Sequence, residues 1–486
     1  MEPIFELALS LPGKDSRNLL RSLHSQLRAG ILDGRLQPGL RLPPTRVLAA
    51  AYGVSRNTAV AAYDLLLGEG YLEARPGAGT YVAQALPRQR LPRKQGDVVL
   101  PGSDEQRLNA YWRNPPATIQ TRAETPPLFD FQLGSPDHGY FAFDIWRRLS
   151  ARSLRSLAKT ASSYDGPQGR PALRDAIAAH VSLTRAVACS PQDILVTCGA
   201  QQAFDLLARI LITSGKTVVA VEEPGYPPLR ATLAAAGAQV VPVAVDAEGL
   251  VVEQLPKNAR IICVTPSHQF PLGVAMSARR RAALLDFAQQ HGAVIIEDDY
   301  DSEFRFDGRP LDALQTLDRA DSVFYVGTFS KSLFPALRLG FVVVPAWARA
   351  ALLAARQCSD WHGNVLAQDT LAAFITEGHL ARHVRKMRQV YDRRRQLLLH
   401  ALQADFGARL QAVPSAAGLH LAAIAPPATD LQAIVQRARR QGISINTLSQ
   451  YCLGRQPRPA GLVFGYGAIG EAAIPPALAL LRGLWE

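Results

Sequence analysis

The 486-residue chain has little lysine, little cysteine and no long apolar run. Its five cysteines, at 189, 198, 263, 358 and 452, are an odd number without CxxC spacing, so neither a disulfide framework nor a zinc site is indicated. A reduced cytosol, and hence a cytoplasmic protein, fits that usage best. No uncharged apolar run reaches about 18 residues, so no membrane span is expected. The segment Met1 to Ser10 carries Glu2 and Glu6 and lacks a basic start followed by an apolar core, so it does not read as a signal peptide. Lysine is the scarcest charge: seven of the 53 basic residues, at 14, 94, 159, 216, 257, 331 and 386.

What is present bounds the architecture. With 48% apolar and 19% charged residues the chain can bury a substantial core, which argues against extensive disorder. The formal charge of +12 invites phosphate-bearing partners, nucleic acid or a phosphorylated cofactor, without separating the two. Three zones differ in texture: residues 1–83 are helix-rich with a terminal hairpin, residues 84–128 are polar and broken by proline, and residues 129–486 alternate β-rich runs with amphipathic helices. The prolines at 87, 92, 101, 115, 116, 126 and 127 mark the middle zone as a linker, in which Arg88, Arg90, Arg93 and Lys94 could add salt-sensitive phosphate affinity. The runs Thr217–Val221, Ile261–Thr265, Val294–Glu297 and Val323–Val326, separated by helical stretches, give the βαβ rhythm of an α/β domain.

In the first zone Leu19, Leu23, Leu27 and Ile31 define a helix ending at Asp33-Gly34. A second helix is expected from an N-cap at Thr45 to Tyr52, a glycine turn at Gly53, and a third helix capped by Ser55 and running to about Glu69. Two short helices around a glycine turn are a helix-turn-helix, and Tyr71–Arg75, Pro76–Gly79 and Thr80–Val82 read as a strand, turn and strand forming a wing. Recognition helices read bases with their first residues, so Arg56, Asn57 and Thr58 are candidates for the DNA edge, Arg56 first because a guanidinium can grip guanine bidentately. Arg41 and Arg46 suit phosphates. The run Leu42-Pro43-Pro44-Thr45-Arg46, then Gly53 to Thr58, Glu69 to Leu72 and Gly77 to Thr80 resembles the winged helix of GntR-type regulators. That resemblance implies that Arg46, Ser55, Arg56, Thr58 and Gly77 lie at double-stranded DNA.

In the last zone Gly327-Thr328-Phe329-Ser330-Lys331-Ser332 follows an apolar strand. Lys331 has apolar, small or hydroxylic neighbours and no acid close by. Burial would lower its pKa and make its amine nucleophilic toward an aldehyde. The companions that pyridoxal 5'-phosphate (PLP) needs occur in order. Asp298 follows a strand and could keep a pyridine nitrogen protonated, the turn at Gly199, Ala200 and Gln201 could point amides at an anion, and Tyr226 could cover a ring. An Asp298-Asp299 pair also suits a metal site or a plain turn, and no metal site is proposed. Together with Tyr164 to Gly169, these pieces resemble the fold-type-I PLP enzymes of the class I aminotransferase group from about Phe129 onward. The resemblance implies Lys331 as the internal aldimine lysine, Asp298 at the pyridine nitrogen, Tyr300 on the ring hydroxyl and Tyr226 stacked on the ring. It also implies that Gly199, Ala200, Gln201, Thr328, Ser330 and Arg338 surround the phosphate, and that Tyr164 reaches the partner subunit's phosphate in a dimer.

Two departures stand out. Where those enzymes carry Asn-Pro-x-Gly, this chain reads Thr265-Pro266-Ser267-His268-Gln269-Phe270-Pro271-Leu272-Gly273. His268 either replaces the asparagine or shapes the loop. Leu462 is expected where the enzymes place a carboxylate-clamping arginine, with Arg455 and Arg458 nearby in sequence. A winged helix, a linker and a large α/β aminotransferase-like domain, in this order, resemble the MocR/GabR subfamily of GntR-type regulators. This implies a homodimeric bacterial transcription regulator that senses PLP or an amine or amino-acid effector through an aldimine. The alternative is an aminotransferase with an accessory DNA-binding domain.

Overall fold

The computed structural model describes residues 9, 11–12, 18–85, 107–113, 126–159, 163–308, 311–454 and 459–485. Arg88, Arg90, Arg93 and Lys94 of the expected linker, and Arg455 and Arg458, lie outside the described residues. The chain divides into two compact units, Met1–Gln106 and Arg107–Glu486. Among the described residues no helix is long and apolar enough to cross a membrane.

The smaller unit has helices Leu19–Leu32, Thr45–Tyr52 and Arg56–Gly68 and an antiparallel hairpin of Leu72–Arg75 with Gly79–Val82. Its core is the expected stripe of Leu23, Leu27 and Ile31 packed on Leu48, Ala59, Ala62, Tyr63, Leu66 and Leu72. The Tyr63 hydroxyl donates to the Pro43 carbonyl at 2.9 Å, which ties the third helix to the start of the second. The cap of the second helix is Pro44, not Thr45. Proline's fixed φ suits this extended residue (φ −54°, ψ 144°), and its carbonyl accepts the Val47 and Leu48 amides, so Thr45 becomes the first helical residue. Gly53 closes the turn in the left-handed region at φ 64°.

The larger unit begins earlier than the proline pattern suggests. Ala110–Arg113 form one helical turn, and the Tyr111 hydroxyl donates to the Ala231 carbonyl at 2.9 Å, so this piece of the expected linker is packed on the large unit.

An eight-stranded sheet forms the centre, in the order Ile194–Thr197, Gly340–Val343, Val323–Thr328, Val294–Asp299, Ala259–Val264, Val218–Glu223, Gln239–Asp246, Gly249–Leu250. The five strands from Val323–Thr328 to Gln239–Asp246 run parallel. The valine and isoleucine runs of the first four are buried because apolar clusters cover both faces, whereas Gln239–Asp246 is largely open. A second sheet of Gln411–Ala412, His420–Ile424, Gly461–Gly465 and Asn446–Thr447 packs on the long helix His379–Ala401 and on Ile474–Gly483. The ends of the parallel strands and one edge of this second sheet face a common cavity, the usual place for ligands in open α/β sheets.

Candidate functional site

The cavity has a volume of about 790 Å³. It gathers Lys331, Asp298, Tyr300, Tyr226, Ala200, Gln201, Thr328, Ser330 and Arg338, residues drawn from strand ends and turns scattered along the chain. Gly199 lies beside it: a β-carbon there would meet the Arg338 guanidinium. Tyr164 is not part of this wall. It is 76% exposed and rests on Trp361, with ring centroids 4.4 Å apart.

Lys331 stands just past the Val323–Thr328 strand and donates to the Gly134 carbonyl at 2.8 Å. Burial lowers its pKa, while the carboxylates of Asp301 and Asp298 oppose the shift. Gly134, at φ 77°, has to be glycine, since a β-carbon there would lie 2.4 Å from the lysine amine. The amine is thus held by one carbonyl, and burial shifts it in the direction that favours attack on an aldehyde.

The two adjacent aspartates separate into different roles. Asp299 is enclosed by Arg185 Nε at 2.7 Å and the Tyr325 hydroxyl at 2.5 Å, an ion pair removed from solvent. Asp298 has a buried oxygen with no hydrogen-bond partner among the described residues. Burial and the Asp299 charge push its pKa up to about 8. An unpaired buried carboxyl lining a cavity is the group that a protonated ring nitrogen would satisfy.

The anion end is built from a helix start. Gly199, at φ 80°, precedes the helix Ala200–Leu211, whose first amides have no intrahelical acceptor. Arg338, itself left-handed at φ 51°, donates to the Cys198 carbonyl at 2.8 Å, and its guanidinium lies 2.9 Å from where a Gly199 β-carbon would be. Thr328 and Ser330 pair their hydroxyls at 3.1 Å next to it. Gln201 turns its side chain away, to Thr232 at 2.5 Å, leaving only its backbone for an anion. Tyr226 meets Phe270 edge-on at 5.3 Å, and burial pushes its phenol up to about 12.

These groups fit PLP: an amine for its aldehyde, a carboxyl for its ring nitrogen, and a helix start with an arginine and hydroxyls for its phosphate. When bound, PLP supplies an aldehyde that condenses with amines and a ring that withdraws electrons.

Side chains alternate along the Gly461–Gly465 strand. Leu462, paired with Ala423, points into the core with Phe464 and Leu421. Val463, on the opposite face, packs with Leu448 and Tyr451 against Leu133 and Phe270. Both are fully buried and neither lines the cavity. Both are apolar, and Arg338 is the only arginine among the described residues lining the cavity.

Asp301, His420 and Gly134 line the site without having been assigned from sequence, and His268, left there between two roles, contacts the site through Tyr300. His420 and Gly134 sit in no motif that marks them, whereas Asp301 lay in plain view within the acidic run after the Val294–Asp299 strand.

On the smaller unit Ser55 caps the third helix, accepting the Thr58 amide at 3.0 Å, and the two hydroxyls meet at 2.7 Å. Arg56 and Asn57 are exposed in its first turn, and Arg46 and Gly77 are also exposed. The backbone of Arg41 bridges Tyr81, and its guanidinium lies over Gly79 at the wing.

Two family models match. Residues 20–82 match the bacterial regulatory proteins of the gntR family, and residues 131–453 match aminotransferase class I and II. The chain is 37% identical over 465 residues to the "Probable rhizopine catabolism regulatory protein MocR" of Rhizobium meliloti, covering 95% of this chain and 92% of that protein. It is 35% identical to the HTH-type transcriptional regulator TauR of Rhodobacter capsulatus, covering 98% of each. It is 31% identical to the HTH-type pyridoxine biosynthesis transcriptional regulator PdxR of Corynebacterium glutamicum, covering 98% of this chain and 97% of the relative. In fold, the kynurenine aminotransferase of Pyrococcus horikoshii superposes with a TM-score of 0.71 at 24% identity, over 79% of this chain and 98% of that one.

Proposed function

The chain belongs to the MocR-type regulators, in which a GntR DNA-binding domain precedes an aminotransferase class I and II domain, and from that membership we propose that its large domain reads an amine through PLP. It is a transcription regulator that binds DNA through its winged helix and holds PLP in its aminotransferase-like domain. The observation that carries the sensing reading is the joining of Lys331 and the unpaired Asp298 carboxyl in one cavity with room beyond the cofactor. By this reading Lys331 holds the cofactor covalently, Asp298 meets its ring nitrogen, Tyr300 its ring hydroxyl, and Arg338, Ser330, Thr328 and the amides of Gly199, Ala200 and Gln201 its phosphate. The protein works as a cytoplasmic homodimer, in which Tyr164, exposed on its own chain, serves the partner's cofactor.

An effector acts only through a difference in its free energy between DNA-binding and non-binding arrangements. Titration of the PLP-loaded protein with amines and amino acids, followed by visible absorption and by operator binding in parallel, tests this. A ligand that shifts the absorption band and changes DNA affinity without accumulation of keto acid is the expected result. Many turnovers with unchanged DNA binding would instead make it an aminotransferase carrying an accessory domain.

At the DNA, Arg56 and Arg46 separate by kind of contact. Arg56→Ala is expected to cost about 1–3 kcal/mol at the operator and to relax preference at one base position. Arg46→Ala weakens all sequences alike and lowers the salt slope by about one. Operator and random-sequence titrations at several salt concentrations distinguish the two.

A further inference from the structure

His268 stands in the loop that departs from the Asn-Pro-x-Gly of the related enzymes, two residues before Phe270, and its surroundings define where its proton sits. The imidazole is buried, with Nδ1 3.0 and 3.1 Å from the two carboxylate oxygens of Asp301 and 3.0 Å from the Tyr300 hydroxyl oxygen. One ring nitrogen holds either a single proton or a single lone pair. A bare Nδ1 would set its lone pair against the Asp301 carboxylate, which also accepts the Leu419 amide at 3.1 Å and is oriented by it. Nδ1 therefore carries the proton and shares it between the carboxylate and the phenol oxygen.

Tyr300 then accepts from His268, and its own proton has to point elsewhere. The open direction is the cavity, which Tyr300 lines next to Asp298. We propose that Asp301 and His268 are positioning residues which make Tyr300 a dedicated hydrogen-bond donor into the cavity, selecting a bound ring that presents an oxygen to it. The inference rests on the reading that the cavity holds PLP with its ring hydroxyl beside Tyr300. In place of one asparagine donating directly, a carboxylate and an imidazole act through the tyrosine. Gly418 and Gly273 leave room for this arrangement: a β-carbon at Gly418 would lie 2.0 Å from the imidazole and 2.6 Å from Asp301 Oδ2, and one at Gly273 3.2 Å from Nε2.

The test compares equilibrium binding of PLP and of its analogue lacking the ring hydroxyl to the full-length cofactor-free protein. A charge-assisted hydrogen bond to the ring oxygen gives the wild-type protein a preference for PLP of about tenfold or more. Tyr300→Phe removes the donor and should bring the preference to within about twofold. Asp301→Asn should do the same: its carbonyl keeps the Leu419 amide, while its NH2 faces Nδ1 and turns that nitrogen into an acceptor. The double variant should lose nothing more, the sign that the two act through one bond. If Asp301→Asn does not fold, Asp301→Ala gives the same comparison, since without the carboxylate Nδ1 is free to accept from Tyr300.

If Tyr300→Phe keeps the full preference, the placement of the ring hydroxyl beside Tyr300 is wrong, and the reading of the cavity with it. If Tyr300→Phe loses the preference while Asp301→Asn and Asp301→Ala retain it, the cofactor reading stands and the positioning role is overturned. The side chains of His268, Asp301 and His420 also lie close enough to hold a metal ion, which would displace the shared proton. Stoichiometric zinc in the purified protein therefore also overturns the inference.

Discussion

Replacing Lys331 by alanine abolishes the visible absorption band that the protein acquires with PLP, and with it the response of DNA binding to amines. The reason is position as much as chemistry. Lys331 is the one lysine lining the cavity among the described residues, and its amine, held at 2.8 Å by the Gly134 carbonyl, is the only primary amine there. The cradle at Gly199, Ser330 and Arg338 is untouched, so PLP should still bind without a covalent link. Losing a buried amine removes its desolvation cost, so the variant should remain folded. DNA affinity without effector is expected to stay within about threefold, since Lys331 and the DNA contacts belong to different compact units. An absorption spectrum of Lys331→Ala with excess PLP, beside an operator titration, checks both statements. A wild-type band in that variant would falsify the lysine assignment.

A second large effect is expected at Asp298, and it changes sign with the cofactor. Asp298 is pushed from 3.8 to about 8 in the cofactor-free chain, chiefly by burial. Glu222 and Glu297 are pushed up to about 7 and Glu303 to about 8, also by burial. Each such acid keeps its proton in the folded state after the unfolded chain has lost its own. Folded protein then binds more protons than unfolded, and stability falls as pH rises from about 4 to about 8. Burial has the opposite consequence for His383, lowered to about 4: the unfolded chain takes up its proton first, so stability also falls as pH drops below 6.5. Thermal unfolding of the cofactor-free protein should therefore be most favourable to the fold in mildly acidic solution and worse at pH 9.

Asp298→Asn removes one of these acids without changing shape. At pH 9 the cofactor-free variant should be more stable than wild type by about 2 kcal/mol, the usual scale for relieving an unpaired buried charge. With PLP present the order reverses, because an amide cannot hold the ring nitrogen's proton, and affinity should fall by about 10- to 100-fold. Melting curves at pH 6 and pH 9, with and without PLP, read all four corners. A variant that is less stable than wild type without cofactor would show that Asp298 is not an unpaired charge.

The residues legible in the sequence were those whose chemistry is carried by a short run. Lys331 and Asp298 each follow an apolar strand, and Arg56 follows a serine cap, so local order alone places them at strand ends and a helix start. Partnerships over long separation were not legible. Nothing near Asp299 in sequence indicates Arg185, which lies 114 residues away and leaves Asp298 as the free member of the pair. The phase of a strand was also out of reach: which core Leu462 and Val463 each enter depends on pairing with Ala423 and Ala422. The same holds for His268, whose role depends on Asp301 and Tyr300 meeting one nitrogen atom.

The cavity's walls also set when, in the life of the molecule, PLP can matter. Gln132 on one wall donates to Ser444, 312 residues further along, and Glu223 accepts the amides of Leu453 and Gly454, 230 and 231 residues away. Closures of that length come late and slowly. PLP is then a ligand of the finished chain: refolding proceeds at the same rate with or without it, while unfolding slows in its presence. Stopped-flow or manual-mixing kinetics with and without PLP would show only the unfolding limb moving. A cell short of the vitamin would make this regulator at the usual yield and lose it sooner, so its abundance would follow survival time rather than synthesis.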